Sequence, residues 1–264
     1  MAILETRQLT RRFGGLKAVN GISMQASSGE ILGIIGPNGA GKTTFFNLIT
    51  ATLPASEGQI LFEGTDITHM NCEQVARLGI ARTFQNIKLF RQLSVLENVK
   101  VGFHIRGRSG VLDALVHTPR YRREEQEAEE GALRILSRVS LLERQDWLAG
   151  NLPYGLQRRL EIARALALSP RLLLLDEPAA GMNPSETESL LDFVRTLRDQ
   201  GITIIVIEHD MKFIMRLCDR ILVINAGEKL AEGTPQEISR NPAVIEAYLG
   251  SGLSIERRPA HGIS

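Results

Sequence analysis

Cysteine is almost missing: 264 residues hold two, Cys72 and Cys218. They have no metal-ligand spacing, so a reducing setting is expected, with both side chains buried as small apolar groups. Long apolar runs are missing too. No segment approaches the ~20 residues that cross a bilayer, so a membrane role is expected to come through a partner. Residues Met1-Ala2-Ile3-Leu4-Glu5-Thr6-Arg7 lack the pattern of a signal peptide. An excess of one charge is absent as well. The chain carries 31 basic and 30 acidic residues for a net charge of +1, which gives no electrostatic argument for a nucleic-acid partner. At 43% hydrophobic and 23% charged, the composition is that of an ordinary soluble globular chain. The length suits one large domain or two small ones.

What is present is a phosphate-binding loop. Gly36-Pro37-Asn38-Gly39-Ala40-Gly41-Lys42-Thr43 fits G-x-x-x-x-G-K-[ST]. The short, Ile-rich run Glu30-Ile31-Leu32-Gly33-Ile34-Ile35 before it reads as a buried strand, and Thr44-Phe45-Phe46-Asn47-Leu48-Ile49 after it can start a helix. Glycines let backbone N–H groups turn inward as an anion nest, and the helix N-terminus adds partial positive charge. Asn38, Gly39, Ala40, Gly41, Lys42, Thr43 and Thr44 are therefore the expected phosphate contacts. Lys42 is expected to reach the outer phosphates and the Thr43 hydroxyl to ligate Mg²⁺.

A second anchor is Leu172-Leu173-Leu174-Leu175-Asp176-Glu177. Four leucines running into two carboxylates describe a buried parallel strand with charge at its carboxyl end, where ligands bind in open α/β sheets. Asp176 is expected to hold Mg²⁺ through water, opposite Thr43, and Glu177 to orient or deprotonate the attacking water. Residues 201–210 repeat the design and end in His209. This residue either contacts a γ-phosphate or, read as a lone histidine, is structural. Residues 80–85 read as a strand ending in Gln85, which either approaches a ligand beside the phosphate loop or is simply a loop residue.

The remaining chain frames these anchors. Residues 3–26 alternate as two strands around Gly14-Gly15. Phe13, just before that turn, is a stacking platform for a base or a core or edge aromatic. Residues 59–64 read as a strand and 73–78 as a helix stopped by Gly79. From residue 86 to about 159 the pattern becomes helical. Leu89, Leu93, Val95, Leu96 and Val99 share helical spacing, and a second apolar series, 132–142, follows Gly131. Between them residues 121–130 are polar, with Arg123 and Glu127 four apart as on a solvated helix. Residues 151–157 read as a turn, and 158–167 as a helix with Leu160, Ala163 and Leu166 on one face. Residues 211–218 read as a helix, and a hairpin across Ala226-Gly227 follows. Two small helices at 235–238 and 243–248 come next, and a mobile polar tail is expected beyond Gly250. The fold class is α/β with a helical insert.

In this order the motifs resemble the ATP-binding subunits of ABC transporters over residues 3–250. The resemblance rests on five features. These are the phosphate loop, Gln85 in Arg82-Thr83-Phe84-Gln85, the Gly155 turn before Gln157-Arg158-Arg159-Leu160-Glu161-Ile162-Ala163-Arg164-Ala165-Leu166, Asp176-Glu177-Pro178, and His209. Within the family the chain looks most like the larger ATPase of the branched-chain amino-acid uptake group. That likeness lies in Arg12-Phe13-Gly14-Gly15-Leu16-Lys17-Ala18-Val19, Pro178-Ala179-Ala180-Gly181-Met182-Asn183-Pro184, Ile207-Glu208-His209-Asp210-Met211, Val244-Ile245-Glu246-Ala247-Tyr248-Leu249-Gly250 and the insertion near 103–130. Related groups for urea or short amides look alike, so those cargoes stay open, as does lipid export. A soluble nucleotide-switched protein of the superfamily commonly has two ATPase halves, whereas this chain has one phosphate loop and one Asp176-Glu177 pair.

The resemblance implies a P-loop NTPase with a RecA-like, mostly parallel core and an N-terminal antiparallel β subdomain. It implies one domain over residues 1–250. The α/β core occupies about 1–85 and 160–235, the helical subdomain about 86–159, and the C-terminal helix and tail 236–264. By position, Phe13 stacks on adenine, and Gln85 senses Mg²⁺ and touches the membrane subunit. Glu177 is the catalytic carboxylate, assisted by Lys42, Gln85 and His209. Tyr154, Gly155 and Gln157 bind the nucleotide held on an opposite subunit, so that two ATPases close head to tail around two ATP molecules. The implied partners are two integral membrane permease subunits, a second ATPase or a second copy, and, indirectly, an extracytoplasmic amino-acid-binding protein. Nucleic acid is not among them. The implied location is peripheral, on the cytoplasmic face of the inner membrane.

Two departures stand out. The family's Leu-Ser-Gly-Gly-Gln turn is Leu152-Pro153-Tyr154-Gly155-Leu156 here. Pro153 replaces a serine and lacks an N–H, so phosphate contact from this turn is expected to weaken by about 1–3 kcal/mol. Gly155 and the helix dipole remain. Asn183 replaces the usual aspartate, which bears on coupling between the two sites.

Overall fold

The computed structural model describes residues 1–104 and 118–249. Residues 105–117 of the insertion and the tail beyond 249 lie outside the described residues. Two sheets form the frame. The first is antiparallel, ordered β2-β1-β4-β5, and joins β1 (Ala2–Phe13), β2 (Leu16–Ser27), β4 (Glu57–Phe62) and β5 (Thr65–Asp66). The second is ordered β10-β9-β3-β8-β7-β6. It joins β3 (Ile31–Ile35), β6 (Ile80–Arg82), β7 (Leu172–Asp176), β8 (Thr203–Ile207), β9 (Arg220–Asn225) and β10 (Glu228–Gly233). All of its pairings are parallel except β10 with β9.

β3, β7 and β8 are buried at every residue. Their apolar runs do not alternate because both faces of the sheet are covered. Ile31, Leu173, Leu175, Ile204 and Val206 face a helical layer, while Leu32, Ile34, Leu172, Leu174, Ile205 and Ile207 face the first sheet and the helix after the phosphate loop. Each buried Leu or Ile stabilises by about 1.5–3 kcal/mol. The strand ends are thereby fixed as a rigid rim.

The helices are α1 (Lys42–Ile49), α2 (Cys72–Arg77), α3 (Val95–His104), α4 (Pro119–Arg138), α5 (Tyr154–Leu166), α6 (Pro184–Asp199), α7 (Met211–Leu217), α8 (Pro235–Arg240) and α9 (Pro242–Leu249). Several expected boundaries move. Leu89 and Leu93 precede α3 rather than sit in it. Ser94 caps that helix: Glu97 N–H donates to Ser94 Oγ at 3.1 Å, and Ser94 N–H to Glu97 Oε2 at 2.7 Å. Buried Asn98 then holds the loop, donating to the carbonyls of Phe90 and Ser94. Gly131 does not separate two helices. α4 runs through it, and a Cβ there would lie 2.5 Å from the Phe103 ring, so glycine allows α3 and α4 to approach. On α4, Arg123 and Glu127 pair at 3.0 Å on an exposed face, as their spacing predicts.

β6 ends at Arg82, three residues before Gln85, which therefore lies in a loop. α5 begins at Tyr154 rather than 158, because the Pro153 carbonyl accepts the first helical bonds from Leu156 and Gln157. Cys218 is buried, and burial pushes its thiol far up. Cys72 is exposed, contrary to expectation, at the start of α2.

Candidate active site

The phosphate loop links β3 to α1. Two of its glycines are required by close approach. A Cβ on Gly36 would stand 1.9 Å from the Ile224 carbonyl oxygen, and one on Gly41 2.2 Å from that of Ala18. Gly41 also has φ 102° as the residue before α1. Asn38 and Gly39 are exposed, Ala40 is buried, and Thr43 and Thr44 fall in the first turn of α1 with Thr43 exposed. Lys42 is buried under the loop, its Nζ donating to the carbonyls of Gly36 at 2.7 Å and Pro37 at 3.0 Å. Burial pulls its pKa down, and the charges of Glu177 and Asp176 oppose that pull.

Asp176 closes β7 and Glu177 follows it with φ 46°, a left-handed conformation that non-glycine residues rarely hold. The Glu177 N–H still bonds the Ile207 carbonyl at 2.9 Å. That bond anchors the turn while the carboxylate swings off the strand end. Gln85 Nε2 donates to Glu177 Oε2 at 2.8 Å, and His209 Nδ1 lies 3.7 Å from the same oxygen. Lys42, Gln85, Asp176, Glu177 and His209 are thus brought to one rim by the four loops that follow β3, β6, β7 and β8.

Phe13 sits at the end of β1, 45% exposed, with the Arg11 guanidinium 4.8 Å from its ring. It is not a core aromatic. Tyr154, Gly155 and Gln157 form the first turn of α5, beside Gly181 and Glu186. None of their described hydrogen bonds reaches the phosphate loop. Gln157 turns its amide back onto the Leu152 carbonyl at 2.7 Å.

Four structural residues escaped the sequence. Glu208, buried after β8, accepts from Ala179 N–H at 2.8 Å and His209 N–H at 3.2 Å, so it joins the loops after β7 and β8. Burial pushes its carboxyl up, partly offset by those donors. Arg158 and Glu161 form a fully buried pair at 2.7 Å on α5. Arg158 donates to the carbonyls of Phe84 and Gln85 at 2.7 and 2.9 Å. Arg82 pairs with Asp176 at 2.7 Å. The signals were faint: an acid directly after an all-apolar strand, and charges on the apolar face of a helix.

The donors facing Mg²⁺ would be the Thr43 hydroxyl, the Asp176 carboxylate and the Gln85 amide oxygen. All are hard oxygen ligands. No group of three His, Cys, Asp or Glu residues that could hold a metal occurs among the described residues. Such a set fits a cation held by one carboxylate together with substrate phosphates.

Residues 19–180 match the family described as ABC transporter, and residues 228–253 the one described as branched-chain amino acid ATP-binding cassette transporter. The chain is 47% identical, over 94% of its length and 98% of the relative's, to the high-affinity branched-chain amino acid transport ATP-binding protein BraF of Pseudomonas aeruginosa. The same figures hold for the protein LivG of Escherichia coli K12. A crystal structure of a nucleotide-free ATP-binding cassette from an ABC transporter superposes with a TM-score of 0.83 at 35% identity, covering 94% of this chain and 99% of that one. With the phosphate loop and the Asp176-Glu177 strand end in the expected frame, this chain belongs to the ABC transporter family, among its ATP-hydrolysing, ATP-binding subunits.

Proposed function

We propose that this chain powers the uptake of branched-chain amino acids by binding and hydrolysing ATP beneath two membrane permease subunits. The observation that carries the catalytic part is the Glu177 carboxylate. It is set off the end of β7 in a left-handed turn, fixed by Gln85, and its charge opposes the downward pull of burial on the Lys42 pKa. The cargo rests on the matched C-terminal segment and on relatives described as branched-chain amino acid transport proteins.

Catalysis here is positioning and charge stabilisation. Backbone N–H groups of residues 38–44 cradle the phosphates, and Lys42 meets the outer ones. Phe13 offers its exposed face to the adenine. Glu177 takes a water's proton or orients it, with Gln85 fixing one carboxylate oxygen and His209 lying beside that oxygen. Thr43, Asp176 and Gln85 would hold Mg²⁺, which neutralises charge on the phosphates when bound. The first turn of α5 acts on the nucleotide of a second cassette, either a different ATPase or another copy. The loop around Gln85, with Phe84 and Phe90 partly exposed, receives a short helix of the permease on the cytoplasmic face of the membrane. No described helix is long and apolar enough to cross a membrane.

The test is to tag the Glu177→Gln chain in its native cell and extract membranes in mild detergent with ATP and Mg²⁺. Two membrane proteins, a second ATPase and an extracytoplasmic amino-acid-binding protein are expected to co-purify. A binding protein for urea or an amide would change the cargo. Recovery of self-dimers alone would overturn the transport role.

A further inference from the structure

Arg82 closes β6 with its side chain 8% exposed, and its two terminal nitrogens go to different elements. Nη2 donates to Asp176 Oδ2 on β7 at 2.7 Å, and Nη1 to Asn47 Oδ1 on α1 at 2.6 Å. The guanidinium carbon lies 5.5 Å from the ring centroid of Phe46 and 5.7 Å from that of Phe84. Its Nε is buried with no hydrogen-bond partner. A buried polar atom left unmatched is costly, so the remaining contacts of the fork hold the group in place.

Asn47 stands four residues after Thr43 on α1, so the two share a helix face. The fork of Arg82 therefore bridges the two elements bearing the hydroxyl and the carboxylate on which the proposed Mg²⁺ site rests. Arg82 engages Oδ2 of Asp176, and no described hydrogen bond reaches Oδ1. An arginine fork fixes both distance and plane, which a lysine point charge does not.

We propose that Arg82 is the positioning residue of the cation site: it locks the Asp176 carboxylate against α1 so that Oδ1 is presented toward Thr43. Its charge also cancels that of Asp176. A free divalent cation is then weakly attracted, and the cation enters with the nucleotide. This inference rests on the reading of Thr43 and Asp176 given above.

The experiment uses the full-length chain and a fluorescent N-methylanthraniloyl-ATP, titrated in EDTA and then with Mg²⁺. Arg82→Gln is expected to leave affinity in EDTA within about twofold of the parent. The Mg²⁺ concentration for half-maximal response is expected to rise by about 10–100-fold, the usual effect of losing a group that orients a metal ligand. Arg82→Lys is expected to recover only part of that shift. An equal loss of affinity in EDTA and in Mg²⁺ would mean that Arg82 only supports the fold, and an unmoved Mg²⁺ midpoint would likewise overturn the proposal. Should Arg82→Gln fail to fold, Asn47→Leu removes one arm of the fork and decides the same question by its Mg²⁺ midpoint. A parent chain that binds the analogue but shows no Mg²⁺ response would remove the cation site itself.

Discussion

Gln85 and Glu177 are 92 positions apart in sequence, yet the amide of one holds the carboxylate of the other at 2.8 Å. The contact has a defined polarity. The amide nitrogen faces the carboxylate, which leaves the amide oxygen as the atom able to face a cation. Arg158 holds the same glutamine by its backbone carbonyl at 2.9 Å. The loop carrying Gln85 is thus tied on one side to α5 and on the other to the residue proposed to handle water.

Replacing Glu177 by Gln keeps the side-chain shape and removes the base. ATP binding is expected to persist while phosphate release falls by about 10²–10⁴-fold, the usual worth of general acid–base catalysis. Stopped-flow phosphate detection on the assembled transporter measures it. Undiminished turnover would falsify the role given to Glu177.

Lys42 supplies a pH test. Its pKa is lowered by burial against the pull of Glu177 and Asp176. Between that lowered value and the unfolded one, the unfolded chain binds more protons than the folded chain, so this residue's contribution to stability grows as pH rises through the window. Phosphates brought to Nζ favour the charged form. ATP binding is therefore expected to take up protons at Lys42 in alkaline solution, within that window. Calorimetry in two alkaline buffers of different ionisation heat reads that uptake. Proton release on binding at alkaline pH would contradict the assignment. Lys42→Ala is expected to abolish ATP turnover and the alkaline proton uptake together.

The Arg158–Glu161 pair offers a stability test. Both side chains are essentially without solvent exposure. Arg158→Ala would leave Glu161 as an uncompensated buried charge and remove donors from the carbonyls of Phe84 and Gln85. A cost of about 3–5 kcal/mol is expected, read by urea unfolding. The double variant Arg158→Met with Glu161→Leu removes both charges at similar volume and is expected to recover most of that loss. It does not restore the hydrogen bond to the Gln85 carbonyl, so turnover is expected to stay low while stability returns. Turnover that returned in step with stability would show that the pair is only a packing element.

The frame of the site was legible because it is written locally. Gly36 to Thr43 is one continuous motif, and Asp176-Glu177 directly follows an unbroken apolar strand. What was not legible depends on contacts distant in sequence. Arg82 and Asp176 are 94 positions apart, and Glu208 meets Ala179 across 29. A charge in a one-dimensional pattern reads as surface until its partner is placed beside it. Periodicity misled at Leu89, which has helical spacing but packs on the core from a loop, because burial of a loop side chain leaves the same trace as burial of a helix face. α5 starts earlier than the turn pattern of residues 151–157 suggests, because proline suits the entry to a helix.

Pro153 closes the set of tests. It precedes the first turn of α5 and gives that turn no side-chain cap, while its carbonyl takes the N–H groups of Leu156 and Gln157. A serine there adds a hydroxyl with two competing uses. As a cap on the helix it stabilises by about 1 kcal/mol, while losing the stiffness of proline costs about 0.4–1 kcal/mol through the unfolded chain. Pro153→Ser is therefore expected to leave unfolding stability nearly flat. As a donor to the phosphate of a second cassette, the hydroxyl adds a charged hydrogen bond of about 1.5–3 kcal/mol. ATP-driven pairing in the Glu177→Gln background is then expected to tighten by roughly tenfold or more, which sedimentation against the partner cassette measures. Tighter pairing at unchanged stability identifies the turn as weakened by its proline. Unchanged pairing means that Gly155 and the end of α5 already supply what the partner's nucleotide needs, with the hydroxyl used only within its own helix.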